Sequence, residues 1–126
     1  MNEEAIIILN RDFVRIRHIL SFQKSIEFEN LEMELDRAKI IEENEKPNGL
    51  VTMERRFKFG VIQEDKQEDK QMVITIVYPV DASFADGKIS ILAPLGSALI
   101  GLQVGQEIDW QFPDGKTKRL KILEVY

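Results

Sequence analysis

The chain has 126 residues, of which 44% are hydrophobic and 31% charged, with a net charge of −5 and no cysteine. That length supports one domain of ordinary size, or one domain with an appendage, and the composition lies near the globular norm. Disulfides, thiolate metal sites and cysteine nucleophiles are excluded. The single histidine, His18, leaves little for zinc chemistry, so no metal and no cofactor are expected. The longest apolar runs, 5–9 and 72–78, fall far short of the ~20 residues that a bilayer span requires. Met1-Asn2-Glu3-Glu4 is acidic where a secretory signal is basic. The expectation is a cytoplasmic protein with no membrane contact.

Acidity is concentrated toward the start of the chain. Residues 1–48 carry 7 basic and 11 acidic side chains (−4), and residues 49–126 carry 10 and 11 (−1). Phosphate neutralisation by Lys and Arg supplies most nucleic-acid affinity, so autonomous nucleic-acid binding is not expected. A protein partner with a basic surface fits this balance better.

In chain order, residues 5–9 form a short β-like run, followed by Asn10 as an N-cap and Asp12 in a first helical turn. Phe13, Ile16 and Leu20 recur at helical spacing, and Phe28, Leu31, Leu35 and Ala38 form a second stripe after an interruption at 21–24. Glu34–Arg37 and Glu42–Lys46 have the spacing of helical ion pairs. Lys46-Pro47-Asn48-Gly49 closes the second helix. The pattern predicts an N-terminal domain over 1–48, a short helical hairpin. Its arms of about 11 and about 16 residues would be ~16 and ~24 Å long.

From residue 49 the period changes to two. Strands are predicted over 51–59, 72–78, 88–92, 107–112 and 117–125, with a short proline-started helix over 94–102. The last two strands flank a turn at Pro113-Asp114-Gly115-Lys116. The fold class is therefore α+β, with 49–126 as the second domain, a five-stranded antiparallel sheet carrying one short helix. The duplication Gln63-Glu64-Asp65-Lys66-Gln67-Glu68-Asp69-Lys70 reads as a polar hairpin loop.

Chemical motifs are sparse. Gly115-Lys116-Thr117 lacks the glycine that a phosphate loop places five residues earlier, where Trp110 stands. Gly96, Gly101 and Gly105 lack a dinucleotide spacing and read as packing and turn positions. His18, between Arg17 and Ile19, has no nucleophile signature to serve. Glu27 and Glu29 are the one acidic pair near the hairpin tip, but two apart on a helix they do not share a face. Phe57, Phe59, Tyr78 and Trp110 either line an apolar pocket or belong to the core. No catalytic residue is assigned.

The segment Ile89-Ser90-Ile91-Leu92-Ala93-Pro94-Leu95-Gly96-Ser97-Ala98-Leu99-Ile100-Gly101-Leu102 resembles the C-terminal domain of bacterial Gre transcript-cleavage factors. Val104-Gly105-Gln106-Glu107-Ile108, the Pro113-Asp114-Gly115 turn and Ile122-Leu123-Glu124-Val125-Tyr126 are similar too. Glu34-Leu35-Asp36-Arg37-Ala38, Val51-Thr52-Met53, Val77-Tyr78-Pro79 and Ala93-Pro94 resemble one branch of that family, the regulators of nucleoside diphosphate kinase. The resemblance spans about residues 5–126 and implies an FKBP-like C-terminal domain with an N-terminal antiparallel coiled-coil hairpin. Gre factors dock that domain on RNA polymerase and insert a long hairpin whose acidic tip helps bind the catalytic magnesium. The branch with the shorter hairpin is expected to bind bacterial RNA polymerase as a monomer and compete with Gre factors without stimulating cleavage. Carried over by position, the docking loop falls on Leu92, Ala93, Pro94 and Leu95, whereas nothing at 21–26 matches the acidic tip. The alternatives are a peptidyl-prolyl isomerase, because FKBP-like domains include such enzymes, and direct control of a nucleoside diphosphate kinase.

Overall fold

The computed structural model describes residues 5–22, 26–62, 70–112 and 114–126. The duplicated 63–70 segment, apart from Lys70, the centre of the predicted helical turn and Pro113 lie outside these residues. Strand β1 (Ile7–Leu9) leads directly into helix α1 (Asn10–Phe22). A 3-10 turn at Ile26–Phe28 precedes α2 (Glu29–Arg37), and β2 (Lys39–Ile41) follows at once. The phases read from the sequence hold. Ile16 and Leu20 of α1 and Leu31 and Leu35 of α2 are buried, with Phe13, Phe28 and Ala38 packed on the same core. Arg17 of α1 pairs with Asp36 of α2, and Arg37 with Glu34 within α2.

The second helix is shorter than its charge pattern predicts. It stops at Arg37, where Ala38 turns extended (φ −64°, ψ 147°), and Lys39–Ile41 pairs in parallel with Ile7–Leu9. The β-branched Ile40 and Ile41 have a strand partner in the tertiary structure, and that pairing overrides the helical spacing of the charges around them. Lys46 accordingly pairs with Glu43, while Glu42 caps a 3-10 turn at Glu43–Glu45. With 13 and 9 residues the helices span ~20 and ~14 Å. Nine residues hold little more than one heptad, too few for a coiled-coil seam. Both helices instead bury their apolar stripes in the core that they share with the sheet.

Five further strands make the main sheet: β3 (Arg56–Ile62), β4 (Gln71–Val77), β5 (Lys88–Ser90), β6 (Glu107–Gln111) and β7 (Thr117–Val125). Their spatial order is β5-β4-β3-β7-β6. The expected all-antiparallel sheet is corrected at one edge, since β5 runs parallel to β4. The connection across 78–87 holds two 3-10 turns and carries the chain back to the start of its neighbour, as a parallel return requires. The first strand also starts later than predicted. Glu54 sits in the left-handed region (φ 65°) and gives its N–H to the Ile76 carbonyl at 2.7 Å, so regular pairing begins only at Arg56. Phe57, Phe59, Ile74, Ile76, Leu120 and Ile122 face inward and form the centre of the core. Helix α3 (Pro94–Leu99) ends three residues before the predicted limit, at the extended Ile100.

Candidate functional site

The proline-started loop is held in place by its own short-range bonds. Ala93, extended as a residue before proline must be (φ −70°, ψ 146°), donates its N–H to the Ser90 carbonyl at 3.0 Å. The Leu92 N–H bonds the Ser90 side-chain oxygen at 3.0 Å, and the Ser97 hydroxyl donates to the Ile91 carbonyl at 2.6 Å. Gly96 permits this closure, because a Cβ there would lie 2.4 Å from the Ser90 carbonyl oxygen. Pro94 stands exposed at the apex while Leu92, Ala93 and Leu95 are half-buried. Leu92 and Leu95 also pack against the core, so they anchor the loop as well as border its surface.

Beside this loop lies a groove of about 270 Å³. Leu92 and Pro94 form one wall, Leu31 and Glu27 of the helical region the opposite one, and Ile108 and Trp110 of β6 the end. The structure thus unites two sequence-predicted residues of the docking loop with Glu27 of the predicted tip. Glu29 is exposed at the start of α2 and does not line the groove. Only one of the pair therefore lines the groove. Among the described residues no group of three or more His, Asp or Glu side chains is arranged to hold a metal ion.

The aromatic residues divide. Phe57 and Tyr78 are buried in the core, whereas Trp110 lines the groove, so the three do not share one open pocket. His18 is exposed on α1 and meets Phe22 edge to face, with ring centroids 5.0 Å apart. Gly115 adopts φ +85° in the β6–β7 turn, where the Asp114 side chain accepts the Lys116 N–H at 2.9 Å. That arrangement is a hairpin turn with no helix to present amides to a phosphate.

Sequence reasoning missed the groove's far wall, because only the folded chain brings Leu31 to Trp110. It also missed a buried latch between α1 and the segment that leads into β3. Asp12, 4% exposed, accepts the Met53 N–H at 3.2 Å and lies 3.6 Å from the Arg11 guanidinium. Burial pushes its carboxyl above the ordinary value, against the opposing pull of the Met53 bond and Arg11. Tyr78 lies nearby with its hydroxyl buried and unpartnered among the described residues. Burial, and then the Asp12 carboxylate, push that hydroxyl well above its ordinary value. The helical position of Asp12 was visible in the sequence; its bond to a backbone 41 residues away was not.

A family model described as the transcription elongation factor GreA/GreB C-terminal region matches residues 46–126. The regulator of nucleoside diphosphate kinase from Escherichia coli K12 is 38% identical over 95 residues, covering 75% of this chain and 67% of that protein. The transcription elongation factor GreA of Clostridium acetobutylicum is also 38% identical over 95 residues, but the match covers only 57% of its length. Among solved structures, a prokaryotic transcription elongation factor GreA/GreB from Nitrosomonas europaea superimposes with a TM-score of 0.80 and 39% identity over 98% of both chains. The GreA homologue Gfh1 of Thermus thermophilus, at 16% identity and a TM-score of 0.52 over 98% of this chain and 99% of its own, shares the fold.

Proposed function

The chain belongs to the family of the transcription elongation factor GreA/GreB C-terminal domain, and on that premise we propose that it is a non-enzymatic regulator of transcription that binds bacterial RNA polymerase. The observation that carries the reading is the braced loop at Leu92–Leu95. Its exposed proline has a fixed φ and no donor to satisfy, and Ser90, Gly96 and Ser97 hold its backbone in one shape. A loop already rigid in the free protein loses little entropy on docking. Leu92, Pro94, Ile108 and Trp110 supply an apolar centre of the kind that protein interfaces use, and Glu27 supplies polar rim. The chain acts as a monomer in the cytoplasm, where polymerase is found, and occupies the site that Gre factors use near the secondary channel. Neither FKBP-like isomerisation nor direct control of a nucleoside diphosphate kinase is assigned, since Phe57 and Tyr78 are core residues and the kinase appears only in a relative's name.

The helical region supports the non-cleaving version of this activity. Helices of 13 and 9 residues reach ~20 Å at most, and only Glu27 of the acidic pair lines the groove. Backtracked polymerase complexes incubated with the protein should therefore cleave their transcripts no faster than in buffer. Stimulated cleavage that Glu29→Ala abolishes would contradict this. The binding itself is tested by retention of core polymerase on the immobilised protein, with release by excess GreA expected and absence of retention contradicting the proposal.

A further inference from the structure

A second surface lies on the flank of α1 that faces away from α2. The helix turns Ile16 and Leu20 inward and sends Arg17 to Asp36. Its other flank presents Val14, Arg15 and His18 to the Tyr78–Val80 segment, and between them is a cavity of about 480 Å³. The lining is apolar apart from Arg15 and His18, and the apolar groups are open to solvent. Val14 is 57% exposed and Val80 89%, and Phe22, against His18, is 76% exposed. Clustered exposed apolar side chains of this kind mark interaction sites, whereas single ones do not.

The charge of this flank is opposite to that of the chain. The protein carries −5, yet no carboxylate among the described residues lines the cavity, whereas Arg15 does; Arg11 and Arg17 of the same helix pair elsewhere, with Asp12 and Glu43 and with Asp36. Arg15 is the group at the cavity. Its guanidinium lies 3.9 Å from the centre of the Tyr78 ring, a cation–π contact. Its nearest carboxylate, on Glu54, is 4.0 Å away, too far for a hydrogen bond. Among the described residues its N–H groups meet no acceptor, so a planar fork of donors is held in position beside an apolar hollow. A guanidinium so placed matches a carboxylate in two-point contact.

We propose that this hollow is a second protein-docking site, which takes a bulky apolar side chain from an acidic segment of a partner protein while Arg15 receives the adjacent carboxylate. The site uses none of Leu92–Leu95 and stands apart from the polymerase reading. An aromatic or leucine side chain fills the space between Val14, Pro79 and Val80, and an acidic flank meets Arg15 in a lining whose described residues include no carboxylate.

The test is a titration of the full isotope-labelled chain with a synthetic peptide that has a Phe-Leu centre flanked by three acidic residues on each side. The control is the same peptide with lysines in place of the acids. The acidic peptide should shift the amide signals of Val14, His18 and Val80, and bind at least about tenfold more tightly than the control. Arg15→Gln should weaken it several-fold. Because Arg15 also stacks on Tyr78, the second variant is Val80→Asp, whose side chain is exposed and whose charge repels the acids; it should weaken binding about tenfold with no change in melting temperature. Equal binding of the lysine peptide, shifts centred on Leu92 and Trp110, or unchanged affinity in Val80→Asp would each overturn the proposal. So would a concentration-dependent dimer that Val80→Asp dissolves, since the face would then belong to a second copy.

Discussion

The N-terminal helices and the C-terminal sheet bury their apolar groups in one core, but only the sheet closes most of its own contacts. Strand β3 is paired along most of its length on both sides, by β4 and β7, and so has no open edge there. Helices of 13 and 9 residues, by contrast, are marginal by themselves and depend on what covers their inner faces. The parallel pair β1–β2 is three residues long and ties the two ends of the helical region together. The difference teaches where stability resides. The helical region should therefore loosen before the sheet does.

Substitution in the sheet should have the largest effect. Phe57 is fully buried at the centre of β3, and Phe57→Ala should cost about 3–5 kcal/mol and unfold both regions together in a single denaturant transition. Leu35→Ala, at 1% exposure on α2, should cost about 2–4 kcal/mol. In that variant hydrogen exchange should quicken across residues 10–41 while β3 and β7 keep their protection. Equal quickening in both regions would show that helices and sheet form one cooperative unit.

The latch between the regions should give the smallest effect, one that depends on pH. Burial raises the Asp12 carboxyl in the folded chain, so the folded state holds that proton more firmly than the unfolded state does. The contribution of Asp12 to stability is therefore greatest below the unfolded carboxylate value and declines as pH rises through the raised folded value. Asp12→Asn stays neutral and keeps an oxygen for the Met53 N–H, so its stability relative to the parent chain should improve as pH rises above the ordinary carboxylate range. Denaturant midpoints for both chains across that rise in pH check the sign. A relative loss would mean that the pairing with Arg11 outweighs burial.

Much of this organisation is legible in the sequence, and the rest is hidden for a physical reason. Helix phase is local information, so Ile16, Leu20, Leu31 and Leu35 are placed correctly by spacing alone. The long strands announce themselves by alternation or by runs of β-branched residues. Strand partners are not local. Nothing near Lys39–Ile41 declares that Ile7–Leu9 waits for it, and nothing in Lys88–Ser90 declares that it will run parallel to β4. The proline-started loop is visible because Pro94 punctuates it, while its docking role is what the family resemblance implies. The groove is not visible, because Leu31, Leu92 and Trp110 come together only in the folded chain.

The central claim, that the braced proline loop docks on polymerase, is tested most directly by Ala93→Asp. Ala93 is the N-cap of α3 and makes no side-chain cap bond, and aspartate is a favoured residue at that position, so the variant should fold as well as the parent. It places a charge beside the exposed Pro94, in the patch proposed to bind through apolar contact. The affinity for core polymerase, measured on parent and variant side by side with their melting temperatures, should fall at least about tenfold in Ala93→Asp while melting stays within a degree or two. Undiminished affinity in a folded Ala93→Asp chain would contradict the assignment.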